Sequence, residues 1–104
     1  MTEPRIPIDQ AKIEALCKKW SITTFEFFGS VLRDDFRPDS DVDVLVTFAP
    51  DSDRTLWDFI AAREELETIL GREVSLVERR SVERSRNHIR RNHILKTAQP
   101  YYVS

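Results

Sequence analysis

The stretch "FFGSVLRDDFRPDSDVDVLV", Phe27 to Val46, decides the fold and poses a chemical question. A glycine-serine pair, Gly29-Ser30, is followed by aspartates at alternate positions that run directly into an apolar strand. Side chains at positions i and i+2 of a strand point to the same face. Asp41 and Asp43 therefore present two carboxylates side by side, about 7 Å apart along the strand. Two anions held so close repel each other unless a positive charge lies between them.

This pair, Asp41 and Asp43, is predicted to hold a divalent cation, because carboxylate oxygens are the hard ligands that Mg²⁺ prefers. The same run also suggests the calcium-loop pattern D-x-D-x-D-G-x5-E, which would begin here at Asp39. Val44 occupies the glycine position of that pattern and Pro50 its final glutamate position, so a calcium loop is excluded.

The glycine-serine turn is predicted to bind an anion. It lies between a strand and a short helical turn, so backbone N–H groups at a helix N-terminus point toward a ligand. Gly29 lets the backbone approach closely, the Ser30 hydroxyl is a donor, and the Arg33 guanidinium is suited to phosphate oxygens. An anion site beside a dication site predicts a nucleoside triphosphate bound with Mg²⁺. The simpler alternatives are that Ser30 is only an N-cap and that Asp39 and Ser40 are ordinary turn residues.

Hydrophobic periodicity predicts an α+β fold, a small mixed β-sheet flanked by helices. A C′ glycine, Gly71, ends the central helix. The predicted elements are a helix over 8–20, a strand over 23–28, a helical turn over 29–35, a strand over 41–48, a helix over 55–70, a strand over 72–78, a basic helix over 82–98 and a tail over 99–104.

Charge is distributed unevenly along the chain. Residues 1–78 carry 9 Lys/Arg and 17 Asp/Glu, whereas residues 79–96 carry 7 Lys/Arg and Glu83 alone. A basic segment on an acidic body favours a partner, either nucleic acid or an acidic protein surface. A solvated helix beside its own acidic body is the other interpretation. We expect residues 79–104 to form a partner-docking element.

The composition indicates a folded cytoplasmic protein. Hydrophobic residues make up 40% of the chain and charged residues 33%, which excludes a disordered chain. No apolar run approaches the roughly 20 residues of a membrane span. Cys17 is the sole cysteine, so an internal disulfide is excluded, and an inert packing thiol is expected.

The run "GSVLRDDFRPDSDVD", residues 29–43, resembles the G-S-x10-D-x-D signature of the polymerase-β-like nucleotidyltransferases. The sequence is most similar to the minimal nucleotidyltransferases of the MntA type, which act as antitoxins to HEPN-domain toxins, and the similarity runs almost end to end. The resemblance implies the polymerase-β-like fold in one minimal domain over residues 1–104. It also implies that Asp41 and Asp43 are the catalytic residues and bind two Mg²⁺ ions.

The resemblance further implies a substrate, an acceptor and a partner. Gly29 and Ser30 would hold the triphosphate of ATP, Arg33 would assist them, and Ser40 would position the aspartate strand. AMP would be transferred to a tyrosine of a partner HEPN RNase toxin and silence it. A chain of 104 residues leaves no room for a second, acceptor-binding domain, which also favours a partner that brings the nucleophile.

One departure from the family pattern concerns the third carboxylate, which the family carries in its third strand as general base. Here Ser75 occupies that position, and a serine is neither a base nor a charged ligand. Three interpretations stay open: replacement by Glu73, an enzyme weakened or assisted by its partner, and a dead antitoxin that neutralises by binding. A nucleotidyltransferase acting on RNA or a small molecule is a further alternative.

Overall fold

The two strands that flank the glycine turn form the centre of the sheet. The computed structural model describes residues 8–32, 40–50 and 55–103. In it, β1 (Ile22–Phe28) pairs antiparallel with β2 (Val42–Phe48), and both strands are rich in the β-branched and aromatic residues that favour strands. The register sets Phe28 opposite Asp43, so the end of β1 meets the start of β2.

Two more strands complete a mixed sheet in the order β3-β2-β1-β4. The strand β3 (Val74–Glu78) runs parallel to β2, and β4 (Gln99–Val103) runs antiparallel to β1. Helix α2 (Leu56–Leu70) provides the crossover that a parallel pair requires. Helix α1 (Gln10–Trp20) precedes β1. The predicted α+β class and mixed sheet are confirmed.

Local capping explains where α2 begins and ends. The Thr55 side chain accepts a hydrogen bond from the Asp58 backbone N–H, and the Asp58 carboxylate accepts one from the Thr55 N–H, a reciprocal capping box. Gly71 closes the helix in the left-handed region, with φ of 71°. The strand that follows therefore starts at a defined position.

Alternation along the strands divides the sheet into two faces. We name the first the core face; its side chains, among them Phe25 and Phe27, are buried against α1 and α2. We name the second the aspartate face; it carries Asp43 with Phe28 opposite it in β1. The core packed on this face also contains residues of the helices and of the other strands: Ile13, Leu16, Cys17, Val42, Val44, Val46, Leu66 and Val74.

The aspartate face is covered by a smaller apolar cluster and one ion pair. The cluster joins Phe28 and Leu45 to two helices, α3 (Arg79–Glu83) and α4 (His88–Thr97). Glu26, only 6% exposed, accepts a hydrogen bond of 2.7 Å from an Arg79 guanidinium nitrogen. A buried carboxylate requires such a partner, so this pair holds α3 against the sheet.

The C-terminal part of the chain differs from the sequence expectation in two ways. The basic helix expected over 82–98 is two helices, because the Asn87 side chain accepts from the Arg90 backbone N–H and caps a new start. The expected tail over 99–104 contains β4, because Tyr101 stacks edge-on against Phe25 and Phe27 at centroid distances of 6.2 and 5.5 Å.

Two further expectations concern Cys17 and the membrane. Cys17 is fully buried, and burial raises the pKa of its thiol to about 12, which agrees with an inert packing role. In residues 8–32, 40–50 and 55–103, no helix combines the length and apolar character that crossing a bilayer requires.

Candidate functional site

The glycine turn and the aspartate strand meet directly. Gly29 begins a 3₁₀ turn, Gly29–Leu32, with φ of +76°, a conformation that favours glycine. A Cβ placed on Gly29 would overlap the Asp43 carboxylate and lie 3.2 Å from its Cγ. Position 29 therefore requires glycine for two reasons, backbone conformation and the close approach of the Asp43 side chain.

Both aspartates lie at the start of β2, where β3 fixes the backbone. The Val42 N–H donates to the Glu73 carbonyl over 3.0 Å, which holds the entry to β2 against the next strand. Asp41 is exposed directly before the strand, and Asp43 is half-buried inside it. They are two positions apart, the spacing that puts alternate residues of a strand on one face, and the carboxylate pair stays a prediction.

The third-carboxylate position holds the serine that the sequence indicated. Ser75 is exposed and is the β3 partner of Asp43 in the parallel pairing, so the two side chains belong to the same face. In the part of the chain that the structure describes, no three His, Cys, Asp or Glu side chains are grouped closely enough to hold a metal ion. Glu73, which is described, does not complete such a group with the two aspartates.

The structure describes the remaining predicted residues to different extents. Arg33 and Asp39 lie outside the described residues. The Ser30 backbone forms part of the 3₁₀ turn directly after Gly29. Ser40 is half-buried immediately ahead of Asp41, at the position from which it was expected to orient the aspartate strand.

The donor set fits a Mg²⁺ ion that shares its ligands with a substrate. Mg²⁺ is commonly held by one or two carboxylates, with waters and phosphate oxygens completing the octahedron. Asp41 and Asp43 supply two carboxylates, and Gly29 brings the turn that would face the phosphates to the same point. Ser75 adds no charge, so two carboxylates would leave further positions on a Mg²⁺ ion for water and phosphate oxygens.

Sequence reasoning missed a second surface, on the opposite end of β3. Leu56 matches the apolar periodicity of α2 but is 69% exposed, and the neighbouring Trp57 is 77% exposed. Both lie in the first turn of α2, and Leu56 lines a cleft with residues of β3, which is an edge strand of the sheet. The signal available in the sequence was the Leu-Trp pair itself, since large apolar side chains at a helix start are atypical of a solvated turn.

The sequence matches a known family and a curated protein. The family model described as the nucleotidyltransferase domain matches residues 10–98. The chain is 32% identical over 71 residues to MJ0435 of Methanocaldococcus jannaschii, which carries the name of a protein adenylyltransferase. That match spans 68% of this chain and 74% of that protein.

Three solved structures share the fold. One described as a minimal nucleotidyltransferase has a TM-score of 0.69 at 33% identity and covers 88% of both chains. A toxin-antitoxin structure with AMP-PNP has a TM-score of 0.70 at 18% identity, over 93% of this chain and 75% of that one. The tri-AMPylated Shewanella oneidensis HEPN toxin in complex with MNT antitoxin gives 0.61 at 18%, over 91% and 70%. At 18% identity, the last two show a common fold alone.

Proposed function

We propose that this chain, which belongs to the nucleotidyltransferase domain family, transfers AMP from ATP to a tyrosine of a HEPN-type toxin and acts as its antitoxin. Family membership establishes the enzyme class, nucleotidyl transfer. The donor, the acceptor and the antitoxin role are the proposal. They are supported by the protein adenylyltransferase name of the curated relative and by the AMPylated toxin and antitoxin in a structure of the same fold.

The observation that carries the proposal is the contact between Gly29 and Asp43. The turn suited to a phosphate chain and the strand suited to a dication come together with no room for a single additional carbon atom. Nucleotidyl transfer needs both functions at one point, because the metal must neutralise the phosphates that the turn binds. Neither feature alone would indicate a nucleotide.

The residues have defined parts in the transfer. The backbone N–H groups of the 29–32 turn would orient the triphosphate, aided by Ser30 and Arg33, while Ser40 would hold the aspartate strand. The phenolic oxygen of the acceptor attacks the α-phosphorus, the bond from that phosphorus to the bridging oxygen breaks, and pyrophosphate leaves. Because Ser75 is not a base, the phenolic proton passes to a group of the partner or to solvent.

Asp41 and Asp43 would hold the metal, for which we propose two Mg²⁺ ions. When bound, they would neutralise the phosphate charge and stabilise the charge that develops on the entering and departing oxygens. Asp43 itself packs against Gly29, which keeps the start of β2 close to the turn.

Labelling separates the enzyme from its alternatives. The purified chain, incubated with ATP labelled on the α-phosphate, Mg²⁺ and its HEPN-type partner toxin, should label the toxin. Asp41→Asn should reduce labelling by at least about a hundredfold, because the metal loses a charged ligand. Glu64→Gln, an exposed neutralisation on α2, is the matched control and should label normally. Labelling that persists in Asp41→Asn would remove the site.

The second candidate is an antitoxin that works by binding alone, and Ser75 is the observation that favours it. With a serine beside Asp43, the described part of the site lacks a third carboxylate. Co-expression of the toxin with the Asp41→Asn/Asp43→Asn variant tests this candidate. Full protection of the cells by a folded variant that labels nothing would establish occlusion, whereas loss of protection would exclude it.

A further inference from the structure

An apolar cleft lies along the outer edge of β3, at the end away from Asp43. It has a volume of about 350 Å³ and lies between the start of α2 and the start of α3. Leu56 and Phe59 line it from the α2 side and Leu76 and Val77 from β3, while Glu78 adds one carboxylate to the lining. Since Leu56 and its neighbour Trp57 are largely exposed, this end of the molecule presents a continuous apolar surface.

A second cleft, with basic side chains, continues from the first. It has a volume of about 120 Å³ and is lined by Arg90 and Arg91 of α4. Val77 and Ser81 line both clefts, so the two are neighbours over β3 and α3, and we consider them together as one groove. We name it the β3 groove; one of its ends is apolar and the other is cationic.

The cationic end has no internal counter-charge among the residues that are described. Arg79 pairs with Glu26 and is within 3.8 Å of Glu83. Arg91 bonds instead to neutral groups, the Ser85 carbonyl and the His88 ring. Arg90 is exposed, with no carboxylate of the described residues within salt-bridge distance. A site with an unmatched positive charge beside an apolar surface is complementary to an acidic amphipathic ligand.

The groove is aligned with the candidate catalytic site by the register of β3. Val77 and Ser75 are two positions apart and share a face, so their backbones are about 7 Å apart. Ser75 pairs with Asp43 in the same sheet. The groove at Val77 therefore lies two residues of β3 from the position that pairs with Asp43. A protein bound in the groove would be close enough to reach the carboxylates.

We propose that the β3 groove is the docking surface for the acceptor protein, occupied by an acidic amphipathic segment of that protein. Its apolar side chains contact Leu56 and Trp57, and its carboxylates pair with Arg90 and Arg91. This rests on the proposed transfer to a protein acceptor. A nucleic acid fits less well, because the apolar end has no complement on a phosphate backbone and residues 1–78 are strongly acidic.

Binding measurements with purified toxin test the groove separately from catalysis. Leu56→Ser and Arg90→Glu should each weaken the complex about tenfold or more, since buried apolar and charged contacts dominate interface energies. Both residues are exposed, so both variants should fold. AMP-PNP binding should be unchanged in both. Asp41→Asn/Asp43→Asn should bind toxin as the wild type does but transfer nothing.

Matched controls lie on other surfaces. Val103→Ser, on β4 at the opposite sheet edge, is the control for Leu56→Ser, and Val103 is also 68% exposed. Lys18→Glu, exposed on α1, is the control for Arg90→Glu. Both controls should keep wild-type toxin affinity.

Three results would overturn the inference. The first is toxin affinity unchanged in both groove variants while labelling proceeds, which leaves the proposed function standing. The second is salt-dependent binding of a single-stranded RNA probe that Arg90→Glu abolishes while toxin affinity stays the same. The third is a wild-type chain that neither binds nor labels the toxin, which overturns the proposed function as well.

Discussion

The two faces of the sheet are built for opposite purposes. The core face buries aromatic and aliphatic side chains from three strands against α1 and α2, and Phe25 and Phe27 are at most 1% exposed. The aspartate face carries ionisable groups at three levels: Asp43 at one end, the buried Glu26 in the middle, and the arginines of α3 and α4 beyond it.

This difference shows that successive residues of one strand have different purposes. Those on one face stabilise the fold, and those on the other face lie at the candidate site. Phe27 and Phe28 are neighbours in sequence, yet one fills the core and the other lies opposite Asp43. A substitution on the core face should act through folding, and one on the aspartate face through binding or rate. Four variants, taken from the largest expected effect to the smallest, test how far that separation holds.

Removing a core-face aromatic ring should have the largest effect. Phe27→Ala deletes a ring that is 1% exposed and stacks on Phe25 at 5.3 Å. Its free energy of unfolding should fall by about 3–5 kcal/mol, the cost of a large core cavity. Urea denaturation followed by circular dichroism measures this. A loss below about 1 kcal/mol would mean that the core face is not the main source of stability.

Adding a carboxylate to the aspartate face should change rate rather than stability. Ser75→Asp places an acid beside Asp43, where it can accept the acceptor proton, so toxin labelling should accelerate about a hundredfold. Ser75→Asn, of similar size but not a base, is the control and should give no acceleration. An unchanged rate in Ser75→Asp would indicate that the partner already supplies the base.

Breaking the buried ion pair should lower stability, although the pair lies on the aspartate face. Arg79→Ala leaves the Glu26 carboxylate buried without its 2.7 Å donor, so unfolding free energy should fall by about 2 kcal/mol. The neighbouring Arg80 is exposed, and Arg80→Ala should cost less than about 0.5 kcal/mol. Equal effects of the two substitutions, measured by thermal denaturation, would contradict the bracing role assigned to the Glu26–Arg79 pair.

The smallest effect is expected outside the core face, where α1 meets α2. A hydrogen bond from Lys19 lowers the pKa of Glu65 below its ordinary value of 4.5, and Trp20 also donates to it. Because its pKa is lowered, the ionised Glu65 carboxylate stabilises the fold at pH values above its ordinary pKa. This contribution is lost as the pH falls through the lowered pKa. With 36% of the side chain exposed, Glu65→Gln should cost about 0.5 kcal/mol near pH 7.

Urea midpoints of wild type and Glu65→Gln, compared at about pH 7 and about pH 3, measure this difference. The gap should narrow at the lower pH, because the wild-type carboxyl takes up a proton as the pH falls through its lowered pKa. A gap that persists there would assign the effect to packing rather than to charge.

The part of the fold that the sequence predicted correctly is the part in which local pattern and tertiary structure agree. Strands β1 and β2 alternate regularly, and Gly29 and Gly71 adopt the positive φ angles that a turn and a helix end require. The spacing of Asp41 and Asp43 is likewise a local property of extended chain. The placement of Asp43 against Gly29 depends instead on the antiparallel pairing of the two strands, which sets Phe28 opposite Asp43.

The part that failed depends on contacts between distant residues. Pro100 argues against a strand, yet β4 forms at a sheet edge, where proline is tolerated, because Tyr101 packs on the phenylalanines of β1. The break before α4 depends on the Asn87 cap, which competes with a continuous helix. The exposure of Leu56 depends on what packs against the start of α2, which helical periodicity does not encode.

The pairing of β4 with β1 has a consequence for biosynthesis. Thr24 of β1 pairs with Val103 of β4. The ribosome must therefore add all the residues between them before β4 can cover the second edge of β1. At about 5–20 residues per second this takes on the order of ten seconds. An uncovered strand of sequence "ITTFEFF" is a template for pairing with other chains. The nascent protein is therefore prone to aggregate until β4 has been made, and shortened products ending before residue 99 should be recovered mainly in inclusion bodies.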